Sequence, residues 1–220
     1  MESTLVVIDT ETTGLTAPIG VVEIAYIIVS ENLEVLEERS HLVNPGRSIE
    51  SGAQKIHGIA DKDIADAITL EEALLPLKNL PIVAVGHNVQ FDLRTTRQHL
   101  NVAGSLCTLS LSRRFYPESV NHKLGTMMQH CDLPSLGSHR ALDDAHTSLS
   151  LLKHILEKFR LPIKTHIKWQ TEPKMLHKMP WGMHKNKLVA DVPKAYRDWL
   201  IKQPNLDQDL VYTLKWLENV

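Results

Sequence analysis

The chain has 220 residues, 43% of them hydrophobic and 23% charged, with a net charge of -2. This excludes a disordered or low-complexity chain and suits one large domain, or a medium one beside a small one. No apolar run approaches the ~18 residues of a membrane span, there is no secretory signal, and Cys107 and Cys131 form no metal or redox motif, so a reduced, cytoplasmic protein with no membrane partner is expected. The small net charge hides an asymmetry. Residues 1–152 hold 11 Lys+Arg against 19 Asp+Glu, net -8; residues 153–220 hold 13 against 7, net +6, and all four tryptophans (Trp169, Trp181, Trp199, Trp216). Such a tail fits a nucleic-acid grip beside a metal-dependent domain, or a small domain with a tryptophan core and lysines for solubility.

Taken in order, Leu5-Val6-Val7-Ile8 reads as a buried central strand running into Asp9. Strand side chains alternate, so Asp9 and Glu11 point to one side. Two ionised carboxylates there repel unless a cation lies between them, and oxygen ligands favour Mg²⁺ or Mn²⁺ over zinc. The plainer alternative is a strand ending in a polar turn. Val21–Val29 and Val35–Val43 read as two more strands, joined by polar turns into an antiparallel meander. Glu23 is placed on the solvated face, with contact to the acidic site as the alternative. Residues 48–56 suggest a short helix ending at His57-Gly58-Ile59, with Gly58 as its C-cap. His57 is either a surface residue there or within reach of a bound nucleotide. Residues 69–80 read as a helix capped by Thr69, with Glu71 and Glu72 in its first turn.

Ile82–Val85 reads as a buried strand followed by a turn and a helix to about Leu100. Asn88 is expected as the N-cap. Asp92 falls in the first turn, where the helix dipole alone explains a carboxylate. Residues 105–116 and 122–131 are expected to be short helices, and Arg113-Arg114 a basic pair facing solvent or a phosphate. Ser138–Ala145 leads into a long helix to about Phe159, because Leu142, Ala145, Leu149, Leu152, Leu156 and Phe159 recur at spacings of three and four. Asp144 lies beside that apolar face, an expensive place for a carboxylate without a cation. His139, on the turn before it, suits a general base acting on a metal-bound water. Leu161–Lys174 reads as a linker. Pro180–Pro193 suggests a basic hairpin, followed by a helix with Tyr196, Trp199 and Leu200 and another with Leu210, Leu214 and Leu217. The expected division is a domain over 1–160, a linker over 161–177 and a module over 178–220.

Asp9-x-Glu11, His87-Asn88-x-x-Phe91-Asp92 and His139-x-Ala141-x-x-Asp144, in that order and with Ile56-His57-Gly58-Ile59 between, resemble the motifs of the DEDDh exonucleases. That family includes the DNA polymerase III epsilon subunit and the ribonuclease T group. The resemblance implies an α/β, ribonuclease-H-like fold, a mixed sheet flanked by helices. It also implies two divalent cations, Mg²⁺ or Mn²⁺: Asp9 bridging both, Glu11 and Asp144 holding the one that carries the attacking water, Asp92 holding the other, and His139 taking the water's proton. The product would be a 5′-mononucleotide. Thr10, Thr12, Gly14, Leu15, His57, Asn88 and Phe91 would contact the substrate, with Gly14 and Leu15 against the terminal base. The C-terminal α+β module, a hairpin and two helices, resembles the ending of one bacterial branch of the family, with Lys185 and Lys187 on DNA phosphates. Met183 and Asn186 stand where that branch has Lys and Gly; Asn tolerates the left-handed conformation such a turn needs. The resulting expectation is a 3′→5′ exodeoxyribonuclease acting in DNA repair on single-stranded or frayed DNA 3′ ends. RNA is the alternative substrate, and a non-catalytic polymerase-associated subunit the alternative role.

Overall fold

The apolar run that opens the chain forms the middle strand of a five-stranded sheet. This computed structural model describes residues 3–134, 137, 139–160, 162, 163, 165, 167, 173, 175–203 and 206–218, in two units, residues 1–167 and 168–220. In the first unit β1 (Thr4–Thr12), β2 (Val21–Val29) and β3 (Val35–Leu42) form the expected antiparallel meander. β4 (Pro81–Gly86) pairs parallel with β1 on its other side, and β5 (Asn101–Cys107) pairs parallel with β4. The strand order is β3-β2-β1-β4-β5.

Strand parity sorts the core into two layers. Leu5, Val7, Ile27, Val83 and Val85 face one side and pack with Leu111, Met127, Met128, Leu149, Leu152 and Ile155. Those partners belong to α4 (Thr108–Phe115), α5 (Leu124–His130) and α6 (Ala141–Phe159). Val6, Ile8, Ile24, Tyr26, Ile82 and Ala84 face the other side and pack with Leu74, Leu77, Val89 and Leu93. Leu74 belongs to α2 (Leu70–Leu74), and Leu93 to α3 (Gln90–Thr96). By this alternation Asp9 and Glu11 lie on the α6 face, and Thr10 on the α3 face.

The local signals explain most element ends. The Thr69 hydroxyl accepts the Glu72 N–H, and the Glu72 carboxylate accepts the Thr69 N–H, which starts α2 as expected. That helix gives way at Leu75–Leu77 to a tighter turn containing Pro76, which has no N–H to continue an α-helix. α1 (Ser51–His57) ends at Gly58 with φ +76°. Gly86 lets β4 close on β1, since a Cβ there would stand 2.8 Å from the Ile8 carbonyl oxygen. Two expectations are corrected. Residues 105–107, expected to open a helix, instead end β5, and α4 starts at Thr108; the strand's small residues carry a weak strand signal, and only Leu106 and Cys107 in it are buried. Asn88 is not the N-cap of α3: it sits one residue earlier with φ +72°, and Val89 holds the cap position.

The second unit is small. Its core is Met179, Val189, Val192, Leu200, Leu210 and Leu214. The expected hairpin is reduced to one antiparallel bridge, Lys178 with Leu188, closing a turn in which Asn186 adopts φ +68°. Two helices follow, α7 (Lys194–Leu200) and α8 (Gln208–Glu218). Trp181, Trp199 and Trp216 stand outside, so the tryptophan-core reading is corrected; Trp169 lies outside the described residues. Of the linker expected over 161–177, Ile163 and Ile167 pack against the core of the first unit, and nine residues lie outside the described ones. No helix among the described residues is long and apolar enough to cross a membrane.

Candidate active site

The carboxyl end of β1 gathers acids from four elements. Asp9 and Glu11 project from β1, and Glu23 from β2, directly opposite Glu11 in the strand register. Asp92 comes from the first turn of α3 and Asp144 from that of α6. A Glu11 oxygen, an Asp144 oxygen and a ring nitrogen of His139 all lie within 4.8 Å of one another. The Asp144 carboxylate also accepts the His139 backbone N–H at 3.0 Å. His139 itself is exposed and holds φ +66°, an uncommon conformation for a non-glycine residue.

The crowding shows in the acid strengths. Burial raises Asp9 well above the usual carboxylate range, and Asp92, Asp144, Glu11 and Glu23 raise it further. Burial, with Asp144 as the nearest charge, pushes Glu11 up to about 7. Burial pushes Asp92 up to about 7 as well, although the Thr10 hydroxyl donates to it at 2.7 Å. Asp144 is raised by burial too. A cluster that holds on to protons in this way is poised to exchange them for cations. Its all-carboxylate oxygens suit hard divalent ions, so the residues present fit the expected Mg²⁺ or Mn²⁺.

Glu23 is the main correction. It is 2% exposed and does not face water. Arg140 reaches it with Nε at 3.1 Å and Nη2 at 2.7 Å, the Ala141 N–H at 3.1 Å and the Ser40 hydroxyl at 3.3 Å. Although burial opposes it, the Arg140 hydrogen bond and these other donors hold Glu23 below its ordinary pKa. The pair clamps the start of α6 to β2, directly beside His139 and four residues before Asp144. The sequence did carry a signal for this. Val21–Val29 is apolar on both parities, so a Glu inside that run has no wet face to occupy.

The remaining expected site residues divide. The Thr10 and Thr12 hydroxyls are engaged internally, Thr10 on Asp92 and Thr12 on the Gly14 carbonyl. His57 is buried, which corrects its reading as a surface residue. The Ile59 N–H donates to its Nδ1, so Nε2 carries the proton and donates to the Thr12 carbonyl at 3.2 Å. It ties the Gly58 turn to the end of β1. His87 is held by the Thr108 hydroxyl and the His122 carbonyl, and burial depresses it to about 4. Gly14 has φ +156°, and the Glu50 carboxyl lies where a side chain would start. Beside it Leu15 is 80% exposed. Asn88 is exposed, and Phe91 is half-buried outside the packed apolar clusters. Lys185 and Lys187 are exposed and lie in the second unit, described by itself.

The chain is similar to known proteins in sequence and in fold. The sequence profile of a family described as Exonuclease matches residues 6–152. Exodeoxyribonuclease 10 of Escherichia coli (strain K12) is 32% identical over 97% of this chain and 98% of its own length. The DNA polymerase III subunit epsilon of Aquifex aeolicus is 30% identical over 71% of this chain and 82% of its own. Among solved structures, exonuclease X in complex with 5′-overhanging duplex DNA superposes with a TM-score of 0.64 at 30% identity, covering 74% of this chain and 98% of that one.

Proposed function

Because the chain belongs to the exonuclease family and is a 3′→5′ exonuclease, we propose that it removes 5′-mononucleotides from DNA 3′ ends by metal-dependent hydrolysis at the Asp9 cluster. The observation that carries this reading is the gathering of Asp9, Glu11, Asp92 and Asp144 at the carboxyl end of β1, with Glu11, Asp144 and His139 within 4.8 Å of one another, while the nearby Arg140 is engaged with Glu23. Asp9, Glu11, Asp92 and Asp144 would hold two divalent cations, Mg²⁺ or Mn²⁺. Once bound, such a pair supplies a hydroxide-like nucleophile at neutral pH and neutralises charge on the leaving 3′ oxygen.

The chain's own groups do the rest. His139, exposed and facing Glu11 and Asp144, accepts the proton of the attacking water at a ring nitrogen. The Asp144 carboxylate, bonded to the His139 N–H, orients that residue. The Thr10 hydroxyl, donating to Asp92, fixes that carboxylate beside the end of β1. Leu15, exposed beside Gly14, offers an apolar surface to the terminal base. DNA as the substrate follows from the relatives' names, exodeoxyribonuclease 10 and a DNA polymerase subunit. We assign the work to trimming 3′ ends, single-stranded or frayed, during DNA repair. The place is the cytoplasm, where Cys107 and Cys131 stay free thiols.

The test is release of label from matched DNA and RNA oligonucleotides tagged at either end. Metal-dependent release of 3′-terminal mononucleotides, faster from DNA, is expected. Loss from the 5′ end, or preference for RNA, would overturn the reading.

A further inference from the structure

The second unit buries aliphatic side chains, packs the half-buried Tyr196 against them, and leaves its described tryptophans outside. Trp199 is 52% exposed and Met183 81%, while Met179, Val189, Val192, Leu200, Leu210 and Leu214 fill the core. Trp181 and Trp216 are exposed as well, at 42% and 46%. The rings are also in series. His184 meets the edge of Tyr196 at 4.7 Å between centroids, and Tyr196 lies 5.4 Å from Trp199, tilted by 38°. Gly182, between Trp181 and Met183, rests on the Tyr196 hydroxyl, which would stand 3.2 Å from a Cβ there. The turn over residues 181–187 and α7 therefore share one continuous face.

The turn itself is basic. Residues 175–190 hold Lys178, Lys185 and Lys187, two histidines and no acid. None of the three lysines is paired with a carboxylate among the described residues, whereas Lys194 is, with Asp198 at 2.9 Å. Unpaired lysines beside exposed rings suit a ligand that offers phosphates and flat bases together. An apolar protein partner would leave the lysines without counter-charges, and a duplex keeps its bases stacked away from Trp199.

We propose that this face of the second unit binds a single-stranded polynucleotide. Trp199 stacks on an unpaired base, backed by Tyr196, and Lys185 and Lys187 lie against the phosphates. The identification of that strand as the DNA being shortened rests on the exonuclease reading; the binding itself does not.

The experiment uses the full chain in EDTA, with fluorescein-labelled (dT)20, (U)20 and a blunt 20-base-pair duplex, followed by anisotropy across salt concentrations. Trp199→Ala is expected to weaken (dT)20 binding about fivefold or more, with Trp199→Phe retaining most of the affinity. The duplex should change less than twofold. Lys185→Gln with Lys187→Gln should flatten the slope of log affinity against log salt by about 1.4, or ~0.7 for each phosphate contact on a single strand. An equal Trp199 effect on (U)20 assigns the face to single strands of either sugar, and an effect confined to (dT)20 assigns it to DNA. A Trp199→Ala variant that melts like the wild type and binds (dT)20 within twofold of it would overturn the proposal, as would equal weakening on single strand and duplex. Wild-type hydrolysis of thymidine 5′-monophosphate p-nitrophenyl ester with Mn²⁺ reads the carboxylate cluster alone. Turnover there, without a Trp199 effect on (dT)20, removes the surface and leaves the exonuclease; the reverse pattern removes the exonuclease and leaves the surface.

Discussion

The two units handle charge in opposite ways. The first draws like charges together out of water: Asp9, Glu11, Asp92 and Asp144 converge, and every one of them has its pKa raised by burial. The second leaves Lys178, Lys185 and Lys187 exposed and apart from carboxylates. A buried cluster of one sign is a chemical device, because only ions of the opposite sign relieve it. An exposed set of the other sign is a surface for attraction, weak at each contact and screened by salt. The Glu23–Arg140 pair lies between these extremes. It is a carboxylate in the acidic unit that already has its counter-ion, and so it serves position.

The sharpest way to break the contrast is Asp9→Asn. Activity should fall at least about a thousandfold, since several kcal/mol of transition-state stabilisation by bound metal are lost. The metal-free variant should nevertheless melt higher than the metal-free wild type, because a repelled carboxylate is gone. A lower melting temperature would mean that the cluster is not under electrostatic strain.

Arg140→Gln comes next. It leaves Glu23 buried without its counter-ion and loosens the turn that carries His139, and activity or metal affinity should fall about 10- to 100-fold. Adding Glu23→Gln should recover part of that loss, since a neutral amide needs no counter-ion. A double variant whose losses simply add would show that the two side chains act separately.

The pH dependence of stability sharpens the same point. Glu11 and Asp92 titrate near 7 in the folded chain, above their ordinary values of 4.5 and 3.8. The folded state then holds more protons than the unfolded state between about pH 4 and 7. Stability of the metal-free protein should therefore fall as pH rises through that window. Millimolar Mg²⁺ should flatten the slope. Urea denaturation at pH 5 and pH 8, with and without metal, checks both; a metal-free protein more stable at pH 8 would reverse the sign. The smallest effect is expected from Thr10→Val, which removes the hydroxyl donated to Asp92. It should cost about 1 kcal/mol of stability and lower activity modestly; no change in either would detach Thr10 from the site.

Much of this was legible in the sequence, and the exceptions have physical causes. The parity of Asp9 and Glu11 placed both on one face of β1, and the periodicity of Leu142 to Phe159 gave α6 its buried side. Glu23 is buried because the run around it is apolar on both faces of β2, although a lone polar residue in a strand ordinarily faces water. β5 is hard to read because Asn101–Cys107 is small-chained and buried only at its last two residues, so its pairing is decided by β4 more than by its own residues. Asn88 looked like a cap, and the backbone used it for a left-handed turn, another of asparagine's local preferences. The tryptophans were ambiguous because composition cannot say which side of a core a ring occupies.

The most direct measurement is degradation of a single-stranded DNA oligonucleotide, labelled at its 3′ end in one sample and its 5′ end in another, by wild type and Asp9→Asn, with Mg²⁺ or EDTA. Hydrolysis at the carboxylate cluster predicts immediate loss of the 3′ label as a mononucleotide, stepwise shortening of the 5′-labelled strand, and silence in EDTA or with Asp9→Asn. A folded Asp9→Asn variant that degrades the strand at the wild-type rate in Mg²⁺ would contradict it.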